Sequence, residues 1–309
     1  MSTGGRISTV RSSDGTVIAY RQLGAGPGVI VVGGALSSEH DYLPLASVLA
    51  RSMTAYVIDR RGRGHSGPQG PNYSMAKEIE DLLTVQHATD ATAVFGHSYG
   101  GLVALEAARQ ANAFAAVAAY EPGVSISGSI QTGWMPRYRQ LLEAGDRRGA
   151  FAAMVQKGGF APLGKLPLWY VRMILRVVVR RRRWETMEPL LEANLAEHEQ
   201  VARLDDGTAD RYRQIAARVL LLGGSKTPAF ITTSLFAALQ RVIPDCSAEV
   251  IDGLDHFAPD QKAPELIAER LRQFYGRGDP DGEAARPARS STEPADNATS
   301  VARQRLGSP

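Results

Sequence analysis

Ala93-Val94-Phe95-Gly96-His97-Ser98-Tyr99-Gly100-Gly101 is the stretch whose reading decides the fold. Residues 92–95 read as a short buried strand and residues 100–110, rich in Ala and Leu, as a helix, with Gly-x-Ser-x-Gly between them. A serine hydroxyl is a weak nucleophile, and it serves as one when it projects from a tight strand-to-helix turn. Gly96 and Gly100 remove side chains that would collide in such a turn. The following helix points its first N–H groups at the site and favours developing negative charge there, which places the Tyr99 N–H to donate to an oxyanion. Ser98 is therefore the candidate activated nucleophile of an enzyme that needs no cofactor. The plainer alternative is a small-residue turn that happens to contain a serine.

The same alternation continues on both sides. Residues 9–10 and 16–20 read as short strands around the turn Ser13-Asp14-Gly15. Residues 28–32, 54–58, 114–120, 219–222 and 248–251 are short apolar or β-branched runs, as expected of strands covered on both faces. Between them, residues 42–51, 75–85, 230–242 and 264–275 have helical spacing, with Ser74 a candidate N-cap. Strands alternate with helices over 28–120 and again over 217–275, which predicts an α/β fold with a doubly wound, mostly parallel sheet. Residues 1–122 and 216–276 form its core. Residues 123–215 break the rhythm, look helical throughout and read as an inserted helical cap. Residues 277–309 are rich in Pro, Ala and Ser, lack aromatics and carry five Arg against five Asp or Glu. Such a tail buries too little apolar surface to offset its ordering entropy, and disorder is expected.

Bulk composition narrows the function. With 309 residues, 44% hydrophobic and 22% charged, the chain is an ordinary globular one that buries a sizeable core without staples. The net charge of +3 is too small to imply nucleic-acid binding. The single cysteine, Cys246, excludes an internal disulfide and a cysteine-rich zinc site. Residues 1–15 lack the apolar core of a secretory signal, and no run of 18 uncharged apolar residues suggests a membrane span. The cytoplasm is the default address. No metal cluster, phosphate loop or dinucleotide motif is present in the sequence, and oligomeric state is not legible in it.

The serine turn resembles that of the α/β-hydrolase superfamily, in its serine-nucleophile branch, and the resemblance extends over about residues 8–275, omitting much of the cap. Val29-Ile30-Val31-Val32-Gly33-Gly34-Ala35 is similar to the strand-3 loop that supplies the second oxyanion N–H; Ala35 is the implied donor and Gly34 an implied substrate contact. The family often has His-Gly there, but a backbone donor tolerates the change. Asp59-Arg60-Arg61-Gly62-Arg63-Gly64-His65-Ser66 is similar to the Asp-x-Arg-Gly-x-Gly-x-Ser turn after strand 4, which implies a structural role.

Of six histidines, His256 follows the last strand and precedes the last helix, where the family resemblance implies the proton-shuttling imidazole. His40, His87 and His198 sit in polar or capping contexts, and His97 points away beneath the turn. The acid is harder to place. Relatives usually carry it just after strand 7, where this chain has Leu222-Gly223-Gly224-Ser225-Lys226-Thr227-Pro228 and no carboxylate. Glu121 ends strand 6, 23 positions after Ser98, and members of the haloalkane dehalogenase-like branch keep an acid there. The alternatives are a Glu121 that caps a loop or pairs with an arginine, with Asp252, Asp255 or no carboxylate completing the site.

The resemblance then implies acyl transfer: a carboxyl-ester hydrolase, or a lactone or thioester hydrolase, acting on a small apolar substrate through an acyl-enzyme. The serine argues against the carboxylate-nucleophile chemistry of dehalogenases and epoxide hydrolases. Two rivals stand beside it: C–C cleavage, cofactor-free oxygenation or acyl transfer on the same residues, and a small-molecule receptor with a weakened triad. In the cap, Trp134, Met135, Trp169, Tyr170 and Met173 are candidates for a hydrophobic pocket, with core packing the plainer reading. Arg172, Arg176, Arg180 and Arg183 form one stripe on a helix over 166–184, with Val171, Ile174, Leu175 and Val178 mostly opposite, read as a solvated face above that apolar side turned to the pocket rather than as a membrane contact.

Overall fold

Val29 and Val31 pack on one side of the central sheet, and Ile30 and Val32 on the other. The same split holds for Val219 and Leu221 against Leu220 and Leu222, so these runs are apolar throughout because both faces are covered. The computed structural model describes residues 4–158 and 163–276, and the tail expected to be disordered lies outside them. Eight strands, β1 (Arg6–Arg11), β2 (Val17–Gly24), β3 (Gly28–Val32), β4 (Thr54–Asp59), β5 (Ala93–His97), β6 (Ala116–Tyr120), β7 (Arg218–Gly224) and β8 (Cys246–Ile251), form one sheet. Their order is β1-β2-β4-β3-β5-β6-β7-β8. β2 runs antiparallel to β1 and β4, and every other pairing is parallel.

Helices α2 (Met75–Thr89), α3 (Tyr99–Gln110) and α9 (Phe236–Val242) cover one face; α1 (Leu43–Leu49) and α10 (Pro264–Gly276) cover the other. The doubly wound α/β sheet expected from the alternation is the fold observed. Ser74 caps α2 by accepting from the Lys77 N–H at 3.4 Å. The helix expected over 230–242 begins instead as a π-helical turn, Phe230–Leu235, before α9.

Between β6 and β7 the described residues form five α-helices: α4 (Met135–Glu143), α5 (Arg147–Lys157), α6 (Leu168–Val178), α7 (Arg181–Met187) and α8 (Leu191–Leu204). No strand occurs among the described residues of this segment. Its apolar side chains form a separate cluster, including Trp134, Tyr138, Phe151 and Trp184, that closes on Leu36 just beyond β3. A buried ion cluster adds a second tie to the sheet: Glu197 of α8 accepts from Arg63 and lies 3.0 Å from Arg60, both beyond β4.

The single helix expected over 166–184 is corrected. It breaks after Val178, because Val179 and Arg180 adopt extended backbone, and α7 sets off in a new direction. The four-arginine stripe is broken with it. Arg183 turns back to the core and pairs with Asp41 at 2.6 Å.

Candidate active site

β5 delivers Ser98 at the carboxyl edge of the sheet, where ligand sites of open α/β sheets lie. Ser98 has φ 54° and ψ −119°, a left-sided conformation that L-residues adopt at a cost of roughly 1–3 kcal/mol. The surroundings hold it there. A Cβ on Gly96 would fall 2.3 Å from the Gly100 carbonyl oxygen, and one on Gly100 would fall 2.3 Å from that of Val32. The two glycines thus let strand, turn and helix close on one another. Tyr99 is the first residue of α3, so its N–H has no intrahelical acceptor.

Gly34 sits against the serine: a Cβ there would lie 3.2 Å from Ser98 Cβ. The loop carrying it is fixed by Arg60, whose Nε donates to the Gly33 carbonyl and whose Nη2 donates to that of Gly34, both at 3.0 Å. Ser37 Oγ donates to the Gly34 carbonyl as well, at 2.8 Å. Because C=O and N–H point opposite ways across a trans peptide, this carbonyl's orientation turns the Ala35 N–H away from Arg60. Arg60 is itself buried and held charged by Glu197 and Glu78, which offset its desolvation. The Asp59–Ser66 turn is therefore structural in a specific sense, since it orients the peptide next to Ser98. Ser66 makes only backbone contacts, with Asp59 and Ala19.

His256 lies in the loop between β8 and α10. Three successive carbonyls of that loop are engaged: Leu254 by the Lys226 N–H at 2.9 Å, Asp255 by the Tyr120 hydroxyl at 2.8 Å, and His256 by His97 Nε2 at 2.8 Å. The His97 and His256 rings are 4.9 Å apart between centroids, which sets His256 beside the serine turn. Its Nδ1 is 2.7 Å from Glu121 Oε2. The other carboxylate oxygen, Oε1, accepts from the Gly224 N–H at 2.9 Å and from Thr227 Oγ1 at 2.6 Å. The acid-less loop after β7 thus supplies two donors to a carboxylate reaching across from β6. Asp252 and Asp255 do not take its place: Asp252 accepts from Ser225 Oγ, and Asp255 pairs with Lys262.

A family model for the alpha/beta hydrolase family matches residues 29–270. An alpha/beta hydrolase from Sphaerobacter thermophilus DSM 20745 is 32% identical, covers 87% of this chain and all of its own, and superposes with a TM-score of 0.73.

The chain belongs to the alpha/beta hydrolase family.

Two more distant solved structures share its fold. A hydrolase from Pseudomonas aeruginosa PA01 is 21% identical over 88% of this chain and 99% of its own, with a TM-score of 0.69. A thermophilic esterase from Thermogutta terrifontis is 19% identical over 88% and 98%, with a TM-score of 0.66.

Within this alpha/beta hydrolase the remaining candidates scatter. Ser98, Tyr99, Gly34, Ala35, Glu121 and His256 converge on one edge of the sheet. Trp134 is buried in the cluster between β6 and β7, its ring 4.9 Å from His198 and 5.0 Å from Tyr138. Trp169 is 67% exposed and Met173 50%, so these two pocket candidates on α6 face solvent. On the side expected to turn inward, Val171 is buried and Leu175 packs against the cluster, whereas Val178 at the helix end is exposed. His198, expected at an exposed or capping position, packs on Trp134.

His97 is the residue whose contribution the sequence hid. Its Nε2 faces a carbonyl oxygen, so that nitrogen carries the proton and Nδ1 accepts from the Tyr42 hydroxyl at 2.7 Å. The Tyr42 oxygen in turn accepts from the Gly34 N–H at 2.9 Å. One neutral imidazole therefore ties the Gly34 loop to the His256 loop. Burial, with the neighbouring His256 charge, holds the His97 pKa well below its ordinary value, and burial lowers that of His198 too. Both groups are depressed, so their stability is present above about pH 6.5 and lost as pH falls through the folded-state values. Each should contribute a slope of up to about 1.4 kcal/mol per pH unit between that point and its folded-state value, and none below the latter. Urea denaturation across the range from about pH 5 to about pH 8 should show this decline, and His97→Gln should remove one share of the slope. An unchanged slope in that variant would argue against a neutral His97.

Proposed function

We propose that this protein is a serine hydrolase that cleaves an ester, lactone or thioester of a small apolar substrate through an acyl-enzyme. The observation that carries the reading is the 2.7 Å contact between Glu121 and His256 Nδ1, beside a serine held at positive φ. A carboxylate on Nδ1 keeps the proton there and leaves Nε2 unprotonated, the tautomer a general base requires. Ser98 Oγ bonds to the substrate carbonyl carbon as its proton passes to His256 Nε2. The carbonyl π pair moves to oxygen, where the Ala35 and Tyr99 N–H groups stabilise it. Collapse breaks the bond to the leaving group, which takes the proton from His256. Water then repeats the sequence, yielding the acid and free Ser98. Glu121 stays ionised throughout and stabilises the imidazolium. The receptor alternative rested on an empty acid position, and the Glu121 contact removes that ground.

A fluorophosphonate probe tests the reading. The folded wild type is expected to be labelled on Ser98 and to turn over at least one member of a panel of short- and medium-chain esters and lactones. Ser98→Ala should be neither labelled nor active. Folded wild-type protein that resists the probe and the whole panel would overturn the proposal.

A further inference from the structure

On α6 the apolar residues do not all face inward. Val171 is buried, and Leu175 is half-buried and packs against the cluster that contains Trp184. Trp169, Met173 and Val177 recur every fourth residue and form one stripe along the opposite side. They are 67%, 50% and 81% exposed, and Val178 beside them is 68% exposed. Arg172 and Arg176 flank the stripe on the same helix, and Arg180, Arg181 and Arg182 follow where α7 begins. Residues 147–184 contain eight arginines, two lysines and no Asp or Glu. Arg172 pairs with Asp146 and Arg181 with Glu185, whereas no described residue pairs with Arg176, Arg180 or Arg182.

A contiguous apolar stripe held in water is unfavourable and marks a contact surface. Its charged border selects the contact. A second copy packed through the same stripe would bring two arginine rows together, an isologous contact that like charges oppose. A surface of anionic headgroups over an apolar interior complements both features. A helix with Trp and aliphatic residues on one side and unpaired arginines along its border lies in the plane of such an interface. We propose that α6 docks this protein on an anionic lipid surface. Trp169, Met173 and Val177 enter the boundary between headgroups and acyl chains, while Arg176, Arg180 and Arg182 bind headgroup phosphates. The helix has 11 residues, so the contact is in-plane and shallow. No described helix is long and apolar enough to cross a membrane, in keeping with a peripheral mode. The inference does not depend on the chemistry of Ser98.

The full-length protein is sedimented with vesicles of phosphatidylcholine alone and with vesicles of equal parts phosphatidylcholine and phosphatidylglycerol. Partitioning onto the anionic vesicles is expected to exceed that onto neutral ones by roughly tenfold or more, and to fall steeply as salt is raised. Tryptophan emission should shift to the blue on binding, and Trp169→Phe should lose that shift, because Trp134 and Trp184 are already buried. The double variant Met173→Glu, Val177→Glu alters exposed side chains only. It should melt like the wild type and bind roughly tenfold or more weakly. Three results would each overturn the proposal. They are no binding to anionic vesicles, equal binding by the double variant, and a concentration-dependent dimer that the double variant abolishes. The last would assign the stripe to a second copy.

Discussion

His256→Ala is expected to lower kcat on the order of 10⁶-fold while leaving the protein folded, with a melting temperature lowered by only about a few degrees. The two halves of this expectation come from different atoms of the same residue. In the proposed reaction the imidazole carries the proton between Ser98 and the leaving group, and an alanine has nothing to replace it. The fold contact is made by the backbone: the His256 carbonyl accepts from His97 Nε2, and alanine keeps that carbonyl. The ring itself is partly exposed, and its two neighbouring carbonyls stay engaged by Tyr120 and Lys226. Little packing is therefore lost. Steady-state kinetics on whichever ester the panel identifies, with thermal melting in parallel, checks both halves. Wild-type turnover in a folded His256→Ala protein would remove His256 from the reaction. A collapse of the melting temperature would instead show that the ring supports the loop.

What the sequence disclosed and what it concealed divide along contact range. The strands were legible because burial on both faces leaves an uninterrupted apolar run, as in Val29 to Val32 and Val219 to Leu222. The serine turn was legible because its steric demands fall within five consecutive residues. Glu121 was reached through the family resemblance: the loop after β7 had no carboxylate, and a branch of the family keeps an acid at the end of β6, with Asp252 and Asp255 left as alternatives. Its two further partners, Gly224 and Thr227, were not found, since 103 and 106 positions separate them from Glu121 and neither residue type announces an anion. The Gly34–Tyr42–His97–His256 chain was concealed for the same reason; it joins four segments that only the sheet brings together. Arg60 was read as part of a turn, and its grip on the Gly33 and Gly34 carbonyls depends on the β3–β4 pairing. The α6 reading divided: Val171 and Leu175 turn inward as expected, while the pocket candidates Trp169 and Met173 are exposed. Both Trp169-Met173-Val177 and Val171-Leu175 are apolar rows. Periodicity alone does not say which row meets the core.

Glu121→Gln is expected to lower kcat on the order of 10⁴-fold with little loss of stability. The argument rests on which way the new amide must point. Oε1 of Glu121 accepts from the Gly224 N–H and the Thr227 hydroxyl, so the glutamine carbonyl oxygen has to occupy that position to satisfy both. Its NH₂ group is then directed at His256 Nδ1, where Oε2 stood at 2.7 Å. An N–H facing Nδ1 makes that nitrogen the acceptor and moves the ring proton to Nε2, the atom that receives the proton of Ser98 in the proposed reaction. The variant keeps its shape and inverts its tautomer. Glu121→Ala separates the two effects, because it leaves the Gly224 N–H and Thr227 hydroxyl without an acceptor; it should lose activity and, in addition, about 2–4 kcal/mol of stability. Thr227→Val removes one of the two constraints on the amide. Combined with Glu121→Gln, it frees the glutamine to turn its oxygen toward His256, and part of the lost rate should return. Urea titration and kcat measured for these four proteins test the scheme. A Glu121→Gln enzyme within about tenfold of wild type would show that the carboxylate is dispensable, and Ser98 and His256 would then act as a dyad.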